Sequence, residues 1–200
     1  RIIMSEQMSD KIINHIVSHY VLNPLINPRL IPQNVATREE MGTKSGIKYV
    51  KVYLNKLKMN HDKIYVLKCD IKKYFYSIDH EVLLHKLKEI IHDDDIYNLL
   101  ENIISSTDED YVNENISKII NKEIRRIKGL NILDKDKKIK DLEKIPQYKK
   151  GKGLPIGNMT SQILAIYFLN DLDHFIKEQL HCKYYIRYMD DFVIFDYDKE

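Results

Sequence analysis

Apolar residues recur at three- and four-residue intervals through Ile12, Ile13, Ile16, Val17 and Tyr20, which predicts a helix capped by Ser9 or Asp10. Pro24, Pro28 and Pro32 predict that no continuous helix runs through 24–32. After a basic, turn-rich stretch from Thr37 to Lys44, a second helix is expected from Thr43 or Ser45, with Ile47, Val50, Leu54 and Leu57 on one face. Ile64–Cys69 is an unbroken run rich in β-formers and predicts a buried strand ending on Asp70. Asp79 is placed to cap a helix carrying Val82, Leu83, Leu87, Ile90 and Ile91, and Asp93-Asp94-Asp95 suits the N-terminus of the next. Between Lys135 and Lys152 eight lysines stand against three acids, and the expectation is a mobile solvated loop. Gly153-Leu154-Pro155-Ile156-Gly157 breaks the chain. A long helix is expected from about Thr160 to Leu180, buried because Ile163, Leu164, Ile166, Phe168 and Leu169 surround its first turns. Tyr184–Tyr188 and Phe192–Phe195 flank Met189-Asp190-Asp191, which predicts a hairpin with two carboxylates at its tip. There is no internal repeat.

Composition narrows the class. The 200 residues are 44% hydrophobic and 31% charged, which excludes a wholly disordered chain. No apolar run approaches the ~18–20 residues of a membrane span, so no membrane partner is expected. Arg1-Ile2-Ile3 leads straight into polar residues, unlike a signal peptide. Cys69 and Cys182 cannot build a disulfide framework, which points to a reducing, cytoplasmic setting. The net charge of +2 does not decide whether nucleic acid is a partner, because any basic footprint must come from arrangement. With no initiator Met and an end at Glu200 just after a strand, the chain is expected to be a fragment.

Three carboxylates stand in unusual places. Asp70 ends one apolar strand, and Asp190 and Asp191 lie between two others. An acid flanked by buried strand residues is costly unless its charge is offset. A divalent cation does this, and hard oxygen ligands suit Mg²⁺. If the two strand regions are neighbours in one sheet, the acids converge and can hold two ions ~3.5–4 Å apart, as in phosphoryl transfer at a nucleotide. Taken alone, Asp190-Asp191 reads as an ordinary tight turn. His15 and His19 lack a third ligand and are read as structural. His80 and Cys69 are read the same way.

Tyr188-Met189-Asp190-Asp191, between Ile186-Arg187 and Phe192-Val193-Ile194-Phe195, resembles the Tyr-x-Asp-Asp signature of reverse transcriptases. Asp70-Ile71-Lys72-Lys73-Tyr74-Phe75-Tyr76-Ser77-Ile78-Asp79-His80 resembles the first palm motif of that family. Gly153 to Gln162 sits where the family has its Pro-Gln-Gly loop and helix, and the three motifs occur in the family's order. Arg1-Ile2-Ile3 and the Arg38-to-Lys44 stretch resemble the N-terminal fingers motifs more faintly. Ile156 replaces the usual Gln and Gln162 the usual Pro. In this the chain looks like reverse transcriptases of diversity-generating retroelements and related phage-defence lineages.

The resemblance implies an α+β fold: the fingers and palm of a right-hand polymerase, with a small antiparallel sheet packed on helices and the thumb absent. Residues 1–60 would belong to the fingers, 61–92 to the palm with its first catalytic motif, 93–152 to a helical, basic connection, and 153–200 to the palm with the Asp-Asp hairpin. It implies an RNA-directed DNA polymerase with an RNA template, a DNA or RNA primer and deoxynucleoside triphosphates. Asp70, Asp190, Asp191 and the Ile71 carbonyl would hold two Mg²⁺ ions, for which Mn²⁺ can substitute. Phe75, with Tyr74 beside it, would face the nucleotide sugar and exclude a 2′-hydroxyl. Ile156 and Gly157 would lie against the nucleotide. Arg38 and Lys44 would grip the triphosphate. Ile at 156 implies error-prone copying, since it cannot hydrogen-bond as the amide does. A small basic accessory protein is implied for the diversity-generating type. The rival readings are template-independent DNA synthesis in phage defence, a viral-type RNA polymerase, and a non-catalytic RNA-binding or assembly protein.

Overall fold

The structure, a computed structural model, describes residues 2–4 and 7–199. Arg1 and Glu200, both named above, lie outside the described residues. The elements run α1 (Met8–Ile16), α2 (Asn23–Ile26), α3 (Thr43–Lys58), β1 (Tyr65–Asp70), α4 (Tyr74–Ser77), α5 (His80–Lys88), α6 (Asp94–Ser105), α7 (Asp110–Lys128), α8 (Lys135–Glu143), α9 (Met159–Phe168), α10 (Asn170–His174), β2 (Tyr184–Tyr188) and β3 (Asp191–Asp196). This is a mixed helical fold with one small antiparallel sheet. Among the described residues no helix is long and apolar enough to cross a membrane. The chain forms two compact units, Glu6–Tyr74 with Asn158–Glu200, and Arg1–Ser5 with Phe75–Gly157.

The first of these units contains the sheet, in the order β1-β3-β2, with both pairings antiparallel. Alternation along the strands splits them into two faces. On one face Tyr184, Ile186, Val193 and Phe195 pack with Tyr53 and Leu57 of α3 and with Val35. On the other, Tyr185, Phe192 and Ile194 pack with Ile31, Leu172 and Ile176. β2 and β3 are therefore covered on both sides. β1 is an edge strand, and Val66 and Leu67 are more than half exposed. That corrects the expectation of a buried strand at 64–69: an apolar run reports β-propensity, not the position of the strand in its sheet.

α9 is buried nearly all round, from Thr160 to Tyr167. The helix then stops at Phe168 and resumes as α10 and a π-helical turn over Phe175–Gln179, rather than running unbroken to 180. α1 forms where expected, but no side chain caps it, and its face is not the expected one. Ile12, Ile13, Ile16 and Tyr20 are exposed, whereas Asn14, Val17 and Leu22 are buried. A π-helical segment over Val17–Leu22 shifts the buried stripe, so a 3.6-residue reading fails there. As expected, no continuous helix runs through 24–32: α2 ends at Ile26, a 3₁₀ turn follows, and the backbone is extended at Leu30. Pro24 falls in the first turn of α2 and Pro28 in the first turn of a 3₁₀ segment over Asn27–Arg29. At those positions the missing N–H has no intrahelical role. In α3, Ile47 faces solvent and Tyr53 takes the core place beside Leu57.

In the second unit, Asp79 and Asp93 cap α5 and α6 by accepting from Val82 N (3.2 Å) and Ile96 N (2.9 Å). Val112, Ile116 and Tyr148 form a core with Ile2, Met4, Tyr76 and Ile120. Lys135–Glu143 is helical, not a loop, and buries none of its residues. Lysine is a good helix former, so a lysine-rich stretch with Ile139 and Leu142 helps rather than hinders a surface helix.

Candidate active site

Asp70, the last residue of β1, is registered against Asp191, the first of β3. Residues directly opposite in an antiparallel pair project to the same face, with Cβ atoms about 4.5–5.5 Å apart, and like charges so placed repel. Asp191 is also registered against Tyr188 of β2, so Met189 and Asp190 alone make the turn between the strands. One acid of the pair is thus at the tip and the other begins the strand. Met189 has φ +57°, a left-handed conformation that costs a non-glycine residue energy and persists only where its surroundings impose it.

The surroundings do so through Arg187. It is fully buried, as is its partner Asp173. Arg187 Nε donates to Asp173 Oδ1 (2.7 Å) and Nη2 to Oδ2 (2.6 Å), a bidentate fork. Nη1 donates to the carbonyl of Met189 (2.8 Å) and Nη2 also to that of Ile166 (2.9 Å). The Tyr185 hydroxyl donates to Asp173 Oδ1 (2.6 Å). Backbone bonds from Arg187 N to Gln33 O and from Val35 N to Arg187 O (both 3.1 Å) hold the outer edge of β2. Burial alone would lower the Arg187 pKa, but the Asp173 hydrogen bonds and charge outweigh it and raise it. Burial likewise pushes the Tyr185 hydroxyl up, reinforced by the Asp173 charge. Arg187 and Asp173 were not among the expected site residues. The available signal was a charged residue at an inward position of an otherwise apolar strand; Asp173, in the polar segment Asn170-Asp171-Leu172-Asp173-His174, gave none.

On the open side, Lys68 Nζ lies 3.6 Å from Asp191 Oδ1, with the two side chains 70% and 50% exposed. Ile71 follows Asp70 directly. Tyr74 is buried and its hydroxyl donates to the Ala165 carbonyl, so its ring belongs to the core. Burial raises the Tyr74 pKa, the Arg187 charge opposes this, and the Asp190 charge adds to it. Arg38 Nη1 donates to the carbonyls of Ile31 (3.0 Å) and Asn34 (3.1 Å), which ties it to its own loop, while Lys44 is exposed in the first turn of α3.

Phe75, Ile156 and Gly157 belong to the other unit. There the 151–154 loop is stapled to 75–80. Leu154 N donates to Phe75 O (2.8 Å), Gly153 N to Ile78 O (2.7 Å), and His80 N to Gly151 O (3.0 Å). His80 Nε2 meets the Gly153 carbonyl at 2.6 Å, and the Thr107 hydroxyl donates to the same oxygen. His80 is structural, as expected. A Cβ at Gly153 would stand 2.6 Å from the Tyr148 ring, and φ there is +97°. At Gly157 (φ +126°) a Cβ would meet Ile3 Cγ2 at 2.7 Å and the Met4 carbonyl at 3.1 Å. The close approach that Gly157 permits is therefore to its own chain.

The carboxylate pair suits a hard cation: both groups are oxygen donors, they oppose one another, and among the described residues Lys68 is the cation in ion-pair range of Asp191. Among the described residues no group of three or more His, Cys, Asp or Glu side chains is arranged to hold a metal ion, so Asp70, Asp190 and Asp191 do not together form such a group.

The family model described as reverse transcriptase (RNA-dependent DNA polymerase) matches residues 1–200. The chain belongs to the reverse transcriptase family. A solved structure of telomerase from Candida albicans, in complex with a TWJ fragment of telomeric RNA, matches this reverse transcriptase chain with a TM-score of 0.47 and 15% identity. The match covers 94% of this chain and 30% of the telomerase chain. No curated protein matches the sequence.

Proposed function

We propose that this chain carries the nucleotidyl-transfer centre of an RNA-directed DNA polymerase that extends a DNA or RNA primer with deoxynucleotides on an RNA template. The observation that carries the reading is the register of Asp70 against Asp191 beside a two-residue turn holding Asp190. Asp70, Asp190 and Asp191, with the Ile71 carbonyl, would hold the Mg²⁺ ions. When bound, such ions acidify the attacking 3′-hydroxyl and stabilise the leaving pyrophosphate. The Arg187–Asp173 pair fixes the turn from beneath, so the acids need not reorganise when substrate arrives. Phe75 would select the sugar and Ile156 would contact the nucleotide. Their backbones are fixed by the bonds from Leu154 to Phe75 and from Met4 to Ile156 (2.8 Å each). Arg38 retains donors beyond its loop bonds and would reach the triphosphate with Lys44. The palm and fingers assignment, the error-prone diversity-generating type and its basic accessory protein belong to the same proposal.

The test is primer extension on an RNA template with Mg²⁺, against reactions lacking template and against Asp190→Asn and Asp191→Asn. Template-dependent extension abolished in both variants is expected. Unchanged extension in the variants would overturn the reading, and equal synthesis without template would favour the template-independent alternative. For fidelity, Ile156→Gln is expected to lower misincorporation, and an unchanged error spectrum would remove that part.

A further inference from the structure

The first helix of the sheet-bearing unit presents apolar side chains to solvent. Met8, Ile12, Ile13, Ile16 and Tyr20 are all exposed, Met8 and Tyr20 by 72% and 73%. Four of them, at 8, 12, 16 and 20, fall about one turn apart and make a stripe about 18 Å long down α1 and the π-helical segment after it. The stripe sits on a fixed element. On the opposite face Asn14, Val17 and Leu22 are buried, and the Thr160 hydroxyl of α9 donates to Asn14 Oδ1 (2.8 Å). A patch of this kind, roughly 500 Å² on one copy, is of the size that marks an interaction surface on a single chain.

Charge narrows what covers it. Between Met8 and Leu22 the charged side chains are Asp10 and Lys11, with His15 and His19 as the titratable neighbours. A helix that lies on a lipid surface carries a cationic polar face, which one lysine balanced by one aspartate does not supply. Depletion of charge is instead the mark of the centre of a protein interface. The stripe also mirrors itself. Positions 8 and 20, and positions 12 and 16, are equidistant from 14, and Ile13 lies next to that point. A two-fold axis requires such a pattern, because residue i of one copy must meet residue j of the other while j meets i. With two helices antiparallel about the level of Asn14, Met8 meets Tyr20 and Ile12 meets Ile16, and Ile13 faces its counterpart near the axis. Asp10 then lies beside His19 of the second copy, whose imidazole N–H can donate to the carboxylate, and the two helix dipoles oppose. His19 is held edge-on to its own Tyr20 ring, with centroids 4.8 Å apart. A parallel pairing would stack Asp10 on Asp10 and Lys11 on Lys11. Covering the stripe on both copies removes roughly 1,000 Å² from water, the lower bound for a specific interface.

From this self-complementary stripe we infer that α1 is the interface between two copies of this chain, joined antiparallel about Asn14. The inference rests on the exposed face of α1 and is independent of the polymerase reading.

The experiment measures the mass of the full chain by sedimentation velocity from about 1 to 100 μM. It uses wild type, Ile12→Asp, Ile16→Asp, Tyr20→Lys and a control, Met59→Asp, which charges an exposed apolar residue outside α1. Wild type and Met59→Asp should dimerise with a dissociation constant inside that range. Each stripe variant should raise the constant at least about thirtyfold. Far-UV circular dichroism should stay that of wild type, because the replaced side chains are exposed in the single chain. Disulfide trapping reads the direction. With Cys69 and Cys182 replaced by Ser, Met8→Cys chains mixed with Tyr20→Cys chains should crosslink to one another. Met8→Cys alone should not, since the two copies of residue 8 stand about 18 Å apart. A wild type that stays monomeric to the top of the range, whether or not it floats with anionic lipid vesicles, would overturn the inference. So would a dimer that survives Ile12→Asp and Ile16→Asp, equal disruption by Met59→Asp, or efficient self-crosslinking of Met8→Cys. Primer extension is no part of the readout, so the failure of either reading leaves the other standing.

Discussion

On each side of the Tyr184–Asp196 hairpin a basic side chain pairs with an aspartate, and the two pairs are opposite in character. Beneath the turn, Arg187 and Asp173 are both fully buried and joined by two hydrogen bonds. At the open end, Lys68 and Asp191 are 3.6 Å apart and half or more exposed. A buried pair cannot exchange its partner, because either charge left alone would face a large desolvation penalty. An exposed pair is weak and exchangeable, because water and salt replace either partner at little cost. The same acid–base chemistry thus builds a fixed floor on one side and a replaceable cation contact on the other. A site that takes up and releases metal and substrate, as proposed for the Asp70–Asp191 end, needs both.

The largest effect should come from the open side. Asp70→Asn and Asp191→Asn are expected to cost primer extension at least about a thousandfold, equivalent to some 4 kcal/mol of transition-state stabilisation. The melting temperature should hold or rise, since each change removes one of two opposed like charges. Loss of activity together with loss of fold would mean that the pair is structural, and the contrast between the two sides would collapse.

The buried side should answer in stability. Arg187→Met or Asp173→Asn leaves an uncompensated buried charge or donor and should cost about 3–5 kcal/mol in urea unfolding. The double variant Arg187→Met/Asp173→Leu should recover much of that loss, because it buries no charge at all. A double variant as unstable as the sum of the singles would show that the pair is worth more than an apolar replacement. Extension by the refolded double variant should still be impaired, because nothing then grips the Met189 carbonyl.

The contrast also marks what could be read from the chain. The strands, the Asp79 cap of α5, the start of α6 at its aspartates and the buried α9 were legible, because propensity, cap chemistry and hydrophobic spacing are local; the α+β class came with the family resemblance. The acids stood out because carboxylates are rare between strand-forming runs. The edge position of β1 was not legible, since burial depends on which strands lie beside it. Nor was the exposed face of α1, because a π-helical segment rotates the stripe by an amount that spacing does not encode. Asp173 has the sequence surroundings of any helix-surface acid, and only the fold sets Arg187 against it. That pairing joins residues 14 apart through tertiary packing, beyond the reach of a pattern.

Tyr185 adds a third member to the buried side. Its hydroxyl donates to the same Asp173 oxygen as Arg187, so Tyr185→Phe removes one bond to a charged acceptor and should cost about 1.5–3 kcal/mol. The pH dependence follows from the direction of its shift. The folded-state pKa lies above the ordinary tyrosine value, through burial first and the Asp173 charge next. The contribution is therefore complete below about pH 10, where the unfolded tyrosine is still protonated, and is lost as pH rises beyond it. Unfolding free energies measured from pH 8 to 11 should fall less steeply in Tyr185→Phe than in wild type. Parallel curves would place the alkaline sensitivity in Tyr74 and Tyr148, whose hydroxyls burial also raises.

The smallest effect sharpens the comparison most. Lys68→Met removes the cation that faces Asp191, but an exposed pair contributes only about 0–1 kcal/mol. Stability at moderate salt should therefore hardly change. Divalent affinity should change, because Lys68 Nζ and a metal ion compete for the same carboxylate oxygen. The Mg²⁺ concentration that gives half-maximal extension should fall severalfold in Lys68→Met and rise with added monovalent salt less than in wild type. A higher Mg²⁺ requirement would mean that the lysine assists the metal-loaded state, by contacting substrate phosphate, rather than standing in for the ion. The open side would then hold its partner as firmly as the buried one does, and exposure alone would no longer distinguish the two pairs.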